Sequence, residues 1–316
     1  MLADLAVLMP VYNAERYLAE AVESILHQTY AKFEFIIIDD GSTDRSVEIL
    51  SSLAAADPRI RLVHRPNSGY LRALNEGLAM CRGTFVARMD ADDVALPRRF
   101  ERQIGYLLEH AECLAVGSGI LRIDADGDLL CEEPMPRTHE EIEVRLLQGL
   151  GALPHPGAMI RRSALAEIGG YREPYYGAED FDLWLRLAER GRLANLPEPL
   201  IKCRVHPQNF TFIHEMRGRA AAAAALADAY RRRGQPRPID LPDALSPALR
   251  GADRERAWTR SAIYAGQYRT ARKHAWSICR RKFWQADSWI LLAHALLGPR
   301  AEPIRRLYRR MRGRGT

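Results

Sequence analysis

The chain of 316 residues is long enough for one large domain or two, and its 47% hydrophobic and 27% charged residues are ordinary for a globular protein. Its five scattered cysteines include no Cys-x-x-Cys pair, which argues against a disulfide framework or a zinc site and favours a reducing compartment. The net charge of +6 conceals two unlike regions, because residues 1–214 carry 23 basic and 32 acidic side chains whereas residues 215–316 carry 23 and 8.

The start of the chain lacks the basic and apolar segments of a signal peptide, and no apolar run approaches the length of a membrane span. From residue 5 onwards, apolar runs alternate with segments of helical spacing. In chain order they predict strands at 5–11, 33–38, 60–64 and 84–89, separated by helices at 14–28, 44–55 and 69–81. Strands that alternate with helices of this length predict βαβ units and an α/β fold with a mostly parallel sheet.

Polar clusters follow three of these predicted strands, at residues 10–13, 39–44 and 90–93. In open parallel sheets, ligands bind outside the carboxyl ends of the strands. The three clusters are therefore expected at one edge of the sheet, where they would form a single site.

The run Asp90-Ala91-Asp92-Asp93 ends the fourth predicted strand with three carboxylates. Side chains at positions i and i+2 of a strand point the same way, so Asp90 and Asp92 can converge. Mg²⁺ and Mn²⁺ prefer such oxygen ligands and often bind one or two carboxylates together with substrate phosphates. The pattern thus predicts a metal-bound diphosphate. A simpler interpretation stays open, in which Asp92 or Asp93 caps the helix that begins near Pro97.

The second cluster, residues 39–44, combines a turn with helix-capping residues. Asp39 directly follows the apolar strand, and a carboxylate in that position can accept a base N–H or a ribose hydroxyl. Arg65 and Asn67 lie in a segment typical of a turn, and Asn75 is a polar position on a predicted helix. We interpret Arg65 and Asn67 as residues close to the nucleotide.

Five pieces of the sequence together resemble glycosyltransferases of family 2, which have the GT-A nucleotide-sugar-binding fold. The resemblance covers about residues 5–210 and implies a Rossmann-like, mostly parallel sheet with flanking helices, followed here by a C-terminal helical extension. In chain order the pieces are Leu8-Met-Pro-Val-Tyr-Asn-Ala-Glu15, Ile37-Ile-Asp-Asp-Gly-Ser-Thr-Asp44, Asn67-Ser-Gly-Tyr-Leu-Arg-Ala-Leu-Asn75-Glu-Gly77, Ala87-Arg-Met-Asp-Ala-Asp-Asp93 and Gly177-Ala-Glu-Asp-Phe-Asp-Leu-Trp184. Jointly they are far more specific than any single motif.

The resemblance implies a donor, a cofactor and a set of binding residues. The donor would be a nucleoside-diphosphate sugar, with a UDP-sugar expected, and the cofactor Mn²⁺ or Mg²⁺. Asp39 or Asp40 would contact the nucleotide base, and Asp90 and Asp92 would form the DxD motif that binds ribose and the metal–diphosphate. The other residues assigned to the nucleotide sugar are Pro10, Tyr12, Asn13, Arg65, Asn67, Asn75 and Ala91.

The chain departs from the family pattern at residue 74. Many relatives have Ala-Arg-Asn before the fourth strand, whereas this chain has Ala73-Leu74-Asn75. If that arginine helps to neutralise the diphosphate, Arg72 or Arg88 takes its place here, or the metal contributes more.

Glu179 and Asp180 open a predicted amphipathic helix. Carboxylates favour the positive N-terminal end of a helix, and this alone would explain Asp182. The preceding segment, residues 169–177, is rich in glycine and aromatic residues and can line an acceptor pocket. By resemblance, Asp180 is the base that takes a proton from the acceptor hydroxyl in an inverting transfer, and Glu179 orients the acceptor or the backbone.

His155, His206 and Arg204 are second candidates. A lone histidine is more often structural than a ligand. His206 follows a predicted strand at 200–205, where a neutral imidazole can reach the metal or the diphosphate, and Arg204 can pair with phosphate.

The C-terminal third is basic and reads mostly as helices. A helix is expected at 216–233, a proline-rich linker at 235–247, and a helical hairpin at 254–278 and 284–297, part of which loosely resembles one tetratricopeptide-like unit. The tail at 305–314 alternates basic and apolar residues. Basic amphipathic helices suit an anionic membrane surface. The same composition also fits a solvated arginine-rich face or a surface that docks against the acidic domain. Nucleic-acid binding is a further alternative, but no nucleic-acid-binding motif accompanies the charge.

We therefore expect a catalytic domain at 1–214, with a nucleotide-sugar half at 1–115 and an acceptor half at 116–214, and a basic helical region at 215–316. The expected acceptor is a glycan or lipid-linked glycan of envelope polysaccharide synthesis, and the expected location is cytoplasmic, peripheral at the inner face of the cell membrane. Two alternatives remain. One is a sugar nucleotidyltransferase, although residues 10–15 are neither glycine-rich nor basic; the other is a non-catalytic sugar-nucleotide-binding scaffold, which the intact acidic clusters disfavour.

Overall fold

The computed structural model describes residues 4–236 and 252–301. The strands in these residues are β1 (Leu5–Val11), β2 (Phe33–Asp39), β3 (Ile60–His64), β4 (Phe85–Arg88), β5 (Val94–Ala95), β6 (Cys113–Ile123), β7 (Leu129–Glu133), β8 (Met159–Arg161) and β9 (Arg192–Arg204). The helices are α1 (Leu18–Leu26), α2 (Ser46–Ala56), α3 (Tyr70–Met80), α4 (Arg99–Glu109), α5 (His139–Leu147), α6 (Arg162–Glu167), α7 (Glu179–Ala188), α8 (Phe210–Ile213), α9 (Glu215–Arg232), α10 (Ala252–Tyr264), α11 (Tyr268–Arg281) and α12 (Ala286–Leu297). Nearly all of the predicted linker at 235–247, and the whole tail at 305–314, lie outside the described residues.

The strands form a sheet with the order β3-β2-β1-β4-β8-β6-β9-β5, and β7 pairs with β6. The first four in this order are parallel neighbours, whereas β8 runs antiparallel to both β4 and β6. This order places β1 between β2 and β4. The three strands that are followed by polar clusters therefore end side by side.

β1 is buried on both faces of the sheet. Leu5, Val7 and Met9 pack into one hydrophobic cluster, and Ala6 and Leu8 pack into another. Since successive side chains of a strand point to opposite faces, both faces at β1 are covered. Burial on both faces explains why this strand reads as a continuous apolar run rather than as an alternating one.

The predicted fold class is confirmed, since an α/β sheet with flanking helices is followed by C-terminal helices. The predicted elements of the first 90 residues differ from the observed ones by a few residues at their ends. The predicted hairpin of two C-terminal helices is wrong, because the chain forms three helices there. The chain leaves α10 through Gly266, whose φ of 74° is a left-handed conformation that favours glycine and ends helices.

The described residues divide into two compact units. The first comprises those of 1–120, 133–204 and 208–247, and the second those of 121–132, 205–207 and 248–316. α9 belongs to the first unit, where Ala221, Ala225 and Ala229 are buried at intervals of one helical turn. The functional boundary between residues 214 and 215 stays a prediction, and the compact units are distributed differently along the chain.

Candidate active site

The carboxyl ends of β1, β2 and β4 bring the polar clusters together. Asp39 at the end of β2 is registered with the last residue of β1, and Arg88 at the end of β4 is registered with Leu8. The Met89 N–H then donates to the Leu8 carbonyl at 3.0 Å. Asp90 therefore lies at the point where the chain leaves the sheet.

Asp90, Asp92 and Asp93 form an acidic cluster, in which one carboxylate oxygen of each lies within 4.8 Å of the others. Asp93 is buried and accepts a hydrogen bond from the Arg204 main-chain N–H at 2.8 Å, which ties the cluster to the end of β9. Asp92 accepts a hydrogen bond from the Asn209 amide at 3.0 Å. Hard carboxylate oxygens at this spacing fit Mg²⁺ or Mn²⁺.

A buried guanidinium adjoins the acidic cluster. Arg88 is 1% exposed, forms an ion pair with Asp90 and donates a hydrogen bond to the Tyr70 hydroxyl. Burial is the largest single influence on Arg88 and lowers its pKa, but the charge and hydrogen bond of Asp90 together with interactions with Tyr70 and Tyr171 outweigh burial and raise the pKa, so Arg88 stays protonated. Burial raises the pKa of Asp90, Arg88 opposes that shift, and the charges of Asp92 and Asp180 add to it.

The two candidates for the family's missing arginine differ in their surroundings. The Arg72 side chain is mostly exposed and pairs with Glu173 at 3.0 Å. Arg88 instead adjoins Asp90 in the acidic cluster. Its position favours Arg88 as the residue that compensates for Leu74.

Asp40 holds the loop between β3 and α3. Its buried carboxylate accepts hydrogen bonds from the main-chain N–H groups of Ser68 at 3.0 Å and Gly69 at 2.9 Å, and it pairs with the Arg65 Nε at 3.1 Å. These contacts give Asp40 and Arg65 a positioning role for the segment that carries Asn67. Direct contact of Asp40, Arg65 or Asn67 with a nucleotide stays a prediction.

Asp39 has fewer and longer contacts than Asp40. It is buried at the end of β2, accepts a hydrogen bond from the Ser42 N–H at 3.2 Å and lies 3.3 Å from the His64 Nδ1. Of the two neighbouring carboxylates, Asp39 is thus the one less engaged by the described residues. Its predicted contact with the base stays a prediction.

Asn13 fixes the loop after β1 to the loop after β2. Its φ of 48° lies in the left-handed region, which asparagine tolerates better than most residues. Its N–H donates to the Ser42 Oγ at 2.9 Å, and its Oδ1 accepts from the Thr43 N–H at 2.8 Å. Pro10 is buried within β1, whereas Tyr12 is 53% exposed. Asn13 therefore shapes the rim of the site, and Tyr12 presents an aromatic ring there.

Glu179 and Asp180 open α7, and their surroundings disfavour ionisation. The Glu179 carboxylate is buried and accepts from the Gly177 N–H at 2.7 Å, and the half-buried Asp180 accepts from the Phe181 N–H at 2.7 Å. Burial raises the pKa of both groups, and the charge of Asp180 helps to raise that of Glu179 to about 7. Because the charge of Asp180 also raises the pKa of Asp90, this pair and the acidic cluster belong to one electrostatic site.

Asp182 has a different environment two residues later. It is fully buried and accepts hydrogen bonds from the Nε of Arg172 at 3.1 Å and from the Nε of Arg186 at 2.9 Å. Its two ion pairs and the positive end of the helix together offset the buried negative charge of Asp182. Asp182 therefore stabilises the fold around α7.

Asn75 joins α3 to the segment before α7. Its amide donates to the Tyr171 carbonyl at 2.9 Å and accepts from the Tyr171 N–H at 3.0 Å. The Tyr171 hydroxyl lies 2.8 Å from the His155 Nε2, and the His155 ring packs edge-on against Trp184. Burial and the charge of Arg88 lower the pKa of His155 well below its usual value, so it stays neutral. The structural interpretation of His155 is favoured, and the predicted contact of Asn75 with the nucleotide sugar stays a prediction.

Two side chains beside the acidic cluster have no predicted role. Tyr70, whose hydroxyl accepts from Arg88, stacks on Phe210 with ring centroids 5.5 Å apart. Asn209 contacts Asp92 across 117 positions of sequence. Tyr70 lies inside one of the five family pieces, which was a usable signal, whereas no local pattern marks Asn209.

The remaining predicted residues lie in the acidic turn and at the end of β9. Ala91 separates the two DxD carboxylates. Arg204 is buried, donates to the Asp92 carbonyl at 2.9 Å and pairs with Glu20 at 2.6 Å, so it supports the main chain of the turn. His206 is buried in residues 205–207, which belong to the second compact unit. Its predicted contact with a metal stays a prediction.

A model of glycosyl transferase family 2 matches residues 6–169, from β1 to just beyond α6. The chain belongs to this family. The matched region includes the acidic cluster, Arg88 and the loops after β1, β2 and β3. The family predicted from five sequence pieces is confirmed.

Proteins of similar sequence give the class of activity. The putative glycosyltransferase EpsE of Bacillus subtilis (strain 168) is 37% identical over 216 residues, which are 63% of this chain and 72% of that protein. The O-antigen biosynthesis glycosyltransferase WbnJ of Escherichia coli is 32% identical over 206 residues, which are 64% of this chain and 80% of that protein. This family 2 member is a glycosyltransferase, as predicted.

Solved structures confirm the GT-A fold. S. aureus TarS 1–349 superposes with a TM-score of 0.54 at 17% identity, covering 93% of this chain and 91% of that one. The mannosyltransferase PcManGT of Pyrobaculum calidifontis superposes with a TM-score of 0.53 at 19% identity, covering 93% and 80%. At these identities the likeness concerns the fold alone.

Proposed function

We propose that this enzyme transfers a sugar, with inversion, from a nucleoside-diphosphate sugar to a hydroxyl of a glycan or lipid-linked acceptor. The observation that carries the proposal is the acidic cluster at the carboxyl edge of the sheet, where oxygens of Asp90, Asp92 and Asp93 lie within 4.8 Å of one another. Two fold neighbours support this class of donor. TarS has been crystallised with UDP and with UDP-GlcNAc, and PcManGT with GDP-Man and Mn²⁺.

Asp90 and Asp92 would bind the diphosphate end of the donor through a divalent ion, for which we propose Mn²⁺ or Mg²⁺. Such an ion neutralises charge on the leaving diphosphate. Arg88, which stays protonated beside Asp90, adds a fixed positive charge to the same end of the site. Asp39 and Tyr12 would face the nucleoside, for which we propose uridine.

Asp180 would act at the acceptor end as the general base. The acceptor oxygen forms a bond to the anomeric carbon while the bond from that carbon to the diphosphate oxygen breaks, and the acceptor proton moves to the Asp180 carboxylate. A single displacement of this kind inverts the anomeric carbon. A carboxylate whose pKa is raised by burial accepts a proton more readily than an ordinary aspartate.

Two relatives of similar sequence support the proposed acceptor and location. WbnJ is named for O-antigen biosynthesis and AmsE of Erwinia amylovora, 32% identical over 203 residues, for amylovoran biosynthesis. We extend this to a polysaccharide or lipid-linked acceptor and to peripheral association with an anionic membrane. None of the helices in the described residues is long and apolar enough to cross a bilayer.

The test is a screen of UDP-, GDP-, dTDP- and CMP-sugars with and without Mn²⁺, read by thermal shift and by hydrolysis of the donor. A ligand at 100 times its dissociation constant stabilises the folded state by about 2.7 kcal/mol. Asp92→Ala should abolish the metal-dependent shift. Asp180→Asn should retain that shift but lower transfer by about 10²–10⁴-fold, since it removes only the base.

Two control variants separate function from folding. Asp4→Asn, on the surface beside Lys32, should change neither readout. Asp182→Asn should lower the melting temperature by weakening the ion pairs with Arg172 and Arg186. Near wild-type transfer by Asp180→Asn would refute the assignment of the base, and the absence of a shift with every nucleotide sugar would refute the proposed donor class.

A further inference from the structure

The outer face of α11 is cationic and carries an exposed tryptophan. Four exposed residues recur at intervals of three or four along this helix and therefore share one side of it: Arg269, Arg272, Trp276 and Arg280. The opposite side is apolar and buried, with Ala271, Ala275 and Ile278 in the core of the second unit. The exposed stripe is thus not needed to hold α11 in place.

Three aromatic rings lie at the turn from α11 to α12. Phe283 is 63% exposed, Trp284 69% and Trp289 47%. The rings of Phe283 and Trp284 meet edge-on with centroids 5.0 Å apart, and the Trp289 Nε1 donates to the Phe283 carbonyl at 2.7 Å. Phe283 and Trp284 thus contact each other, and the hydrogen bond holds Trp289 next to the main chain of the same turn. Transfer of these rings from water into an apolar environment would be favourable in free energy.

The charge around these rings is unbalanced. Residues 252–301 contain ten Lys and Arg against three Asp and Glu. Arg281 pairs with Glu255, and Lys273 with the acidic loop at 124–128. In the part of the chain that the structure describes, Arg269, Arg272, Arg280 and Lys282 have no carboxylate partner. Arg269, Arg272 and Arg280 are exposed, and Arg280 and Lys282 come just before the exposed Phe283 and Trp284 in the sequence.

We propose that the outer face of α11 and the α11–α12 turn bind an anionic lipid bilayer; this deepens, and rests on, the membrane association proposed above. Tryptophan prefers the interface between headgroups and acyl chains, since its ring is apolar and its N–H is polar. Lys and Arg are drawn to acidic headgroups. Phe283 and Trp284 enter the interface while Arg280 and Lys282, their neighbours in sequence, contact lipid phosphate.

Co-sedimentation of the full-length chain with vesicles tests the proposal, with phosphatidylcholine alone and with 30% phosphatidylglycerol. Binding should require the anionic lipid and weaken in 0.5 M salt. Arg280→Gln with Lys282→Gln should weaken partition about fivefold for each charge removed. Phe283→Ser with Trp284→Ser should weaken it by roughly tenfold or more, because two apolar rings no longer leave water.

Matched variants in the first unit serve as controls. Arg61→Gln with Arg82→Gln removes the same charge from exposed positions, and Leu108→Ser removes an apolar side chain that is 70% exposed; neither should change partition. Donor hydrolysis without vesicles should be unchanged in all these variants, which separates failure of docking from failure of the enzyme. Unaltered vesicle binding by the turn variants would overturn the proposal. So would binding to heparin or self-association that depends on the turn while vesicles are not bound.

Discussion

At the residue scale, carboxylates that are neighbours in α7 differ because their partners differ. Asp182 lies between the guanidinium groups of Arg172 and Arg186, which balance its buried charge. Glu179 lies instead beside Asp180, whose negative charge adds to the effect of burial; backbone N–H groups and Arg88 offset these effects only in part, so the pKa of Glu179 rises to about 7. The same helix N-terminus thus holds a structural carboxylate and a pair that suits proton transfer.

We expect Glu179 to reduce stability as the pH rises. Its carboxyl pKa is raised from 4.5 to about 7, first by burial and then by the charge of Asp180. A folded-state pKa above the unfolded value means that the folded protein binds the proton more tightly, so this contribution is full below about 4.5 and is lost as the pH rises through about 7. Melting temperatures between pH 5 and 8 should show Glu179→Gln gaining on wild type. Exposed Glu48→Gln should keep a constant difference, and a constant difference for Glu179→Gln would contradict the expectation.

At the scale of elements, the loops after β2 and β3 meet backbone to backbone. Gly41 has a φ of 74°, and a Cβ placed on it would lie 2.6 Å from the Asn67 nitrogen. Asp40, one residue earlier, accepts the N–H groups of Ser68 and Gly69. The shape of these two loops is therefore set by a close approach that only glycine permits at residue 41.

Gly41→Ala should lower the unfolding free energy by about 1–3 kcal/mol, because alanine is strained at this φ and would push against the main chain of Asn67. It should also weaken donor binding by displacing that segment. Gly105→Ala in α4 is the matched control, since its Cβ would meet no atom within 4 Å, and it should stabilise by about 0.5–1 kcal/mol. Urea denaturation measures both. Equal effects of the two substitutions would show that the close approach is unimportant.

At the scale of the whole molecule, the second compact unit is held by a core and by one buried charge network. The Asp124 carboxylate, between β6 and β7, accepts from the Lys273 Nζ at 2.7 Å and lies 2.9 Å from the His274 Nε2 on α11. Burial is the largest single influence on Asp124 and raises its pKa, but His274, Lys273 and the main-chain N–H groups of Asp126 and Asp128 together outweigh burial and hold the pKa well below its usual range. Burial lowers the pKa of the His274 imidazole, but its contacts with Asp124 and Glu255 outweigh burial and raise that pKa to about 9.

Lys273→Met should destabilise the second unit by about 1–3 kcal/mol, because it leaves the buried Asp124 with one cation fewer. Lys32→Met is the control: the Lys32–Asp4 pair spans 3.6 Å with both side chains about half exposed, so its loss should cost less than about 1 kcal/mol. Guanidinium denaturation followed by tryptophan fluorescence compares them. A cost for Lys273→Met no larger than for Lys32→Met would show that solvent replaces the ammonium.

The features predicted correctly depend on residues that are close in sequence. The strands of the first 90 residues follow from runs of apolar residues, and the acidic cluster from three carboxylates within four positions. The hydrogen bonds of the Asn75 amide to Tyr171, 96 positions away, depend on the folded chain and leave its predicted contact with the nucleotide sugar a prediction. The break at Gly266 was missed because the helical spacing of apolar residues continues across it.

The sequence by itself determined the family, the α/β fold class and the position of the carboxylates, because side-chain period and strand-end chemistry are local properties. Only the tertiary structure decided which surroundings each carboxylate has. The order β2-β1-β4 brings three strand ends together, and the packing of α7 brings Asp180 into electrostatic contact with Asp90. Charge interactions and desolvation depend on distance in space rather than in sequence, so the pairing of Asp90 with Arg88, the burial of Asp182 between two arginines and the raised pKa of Glu179 appear only when the chain is folded.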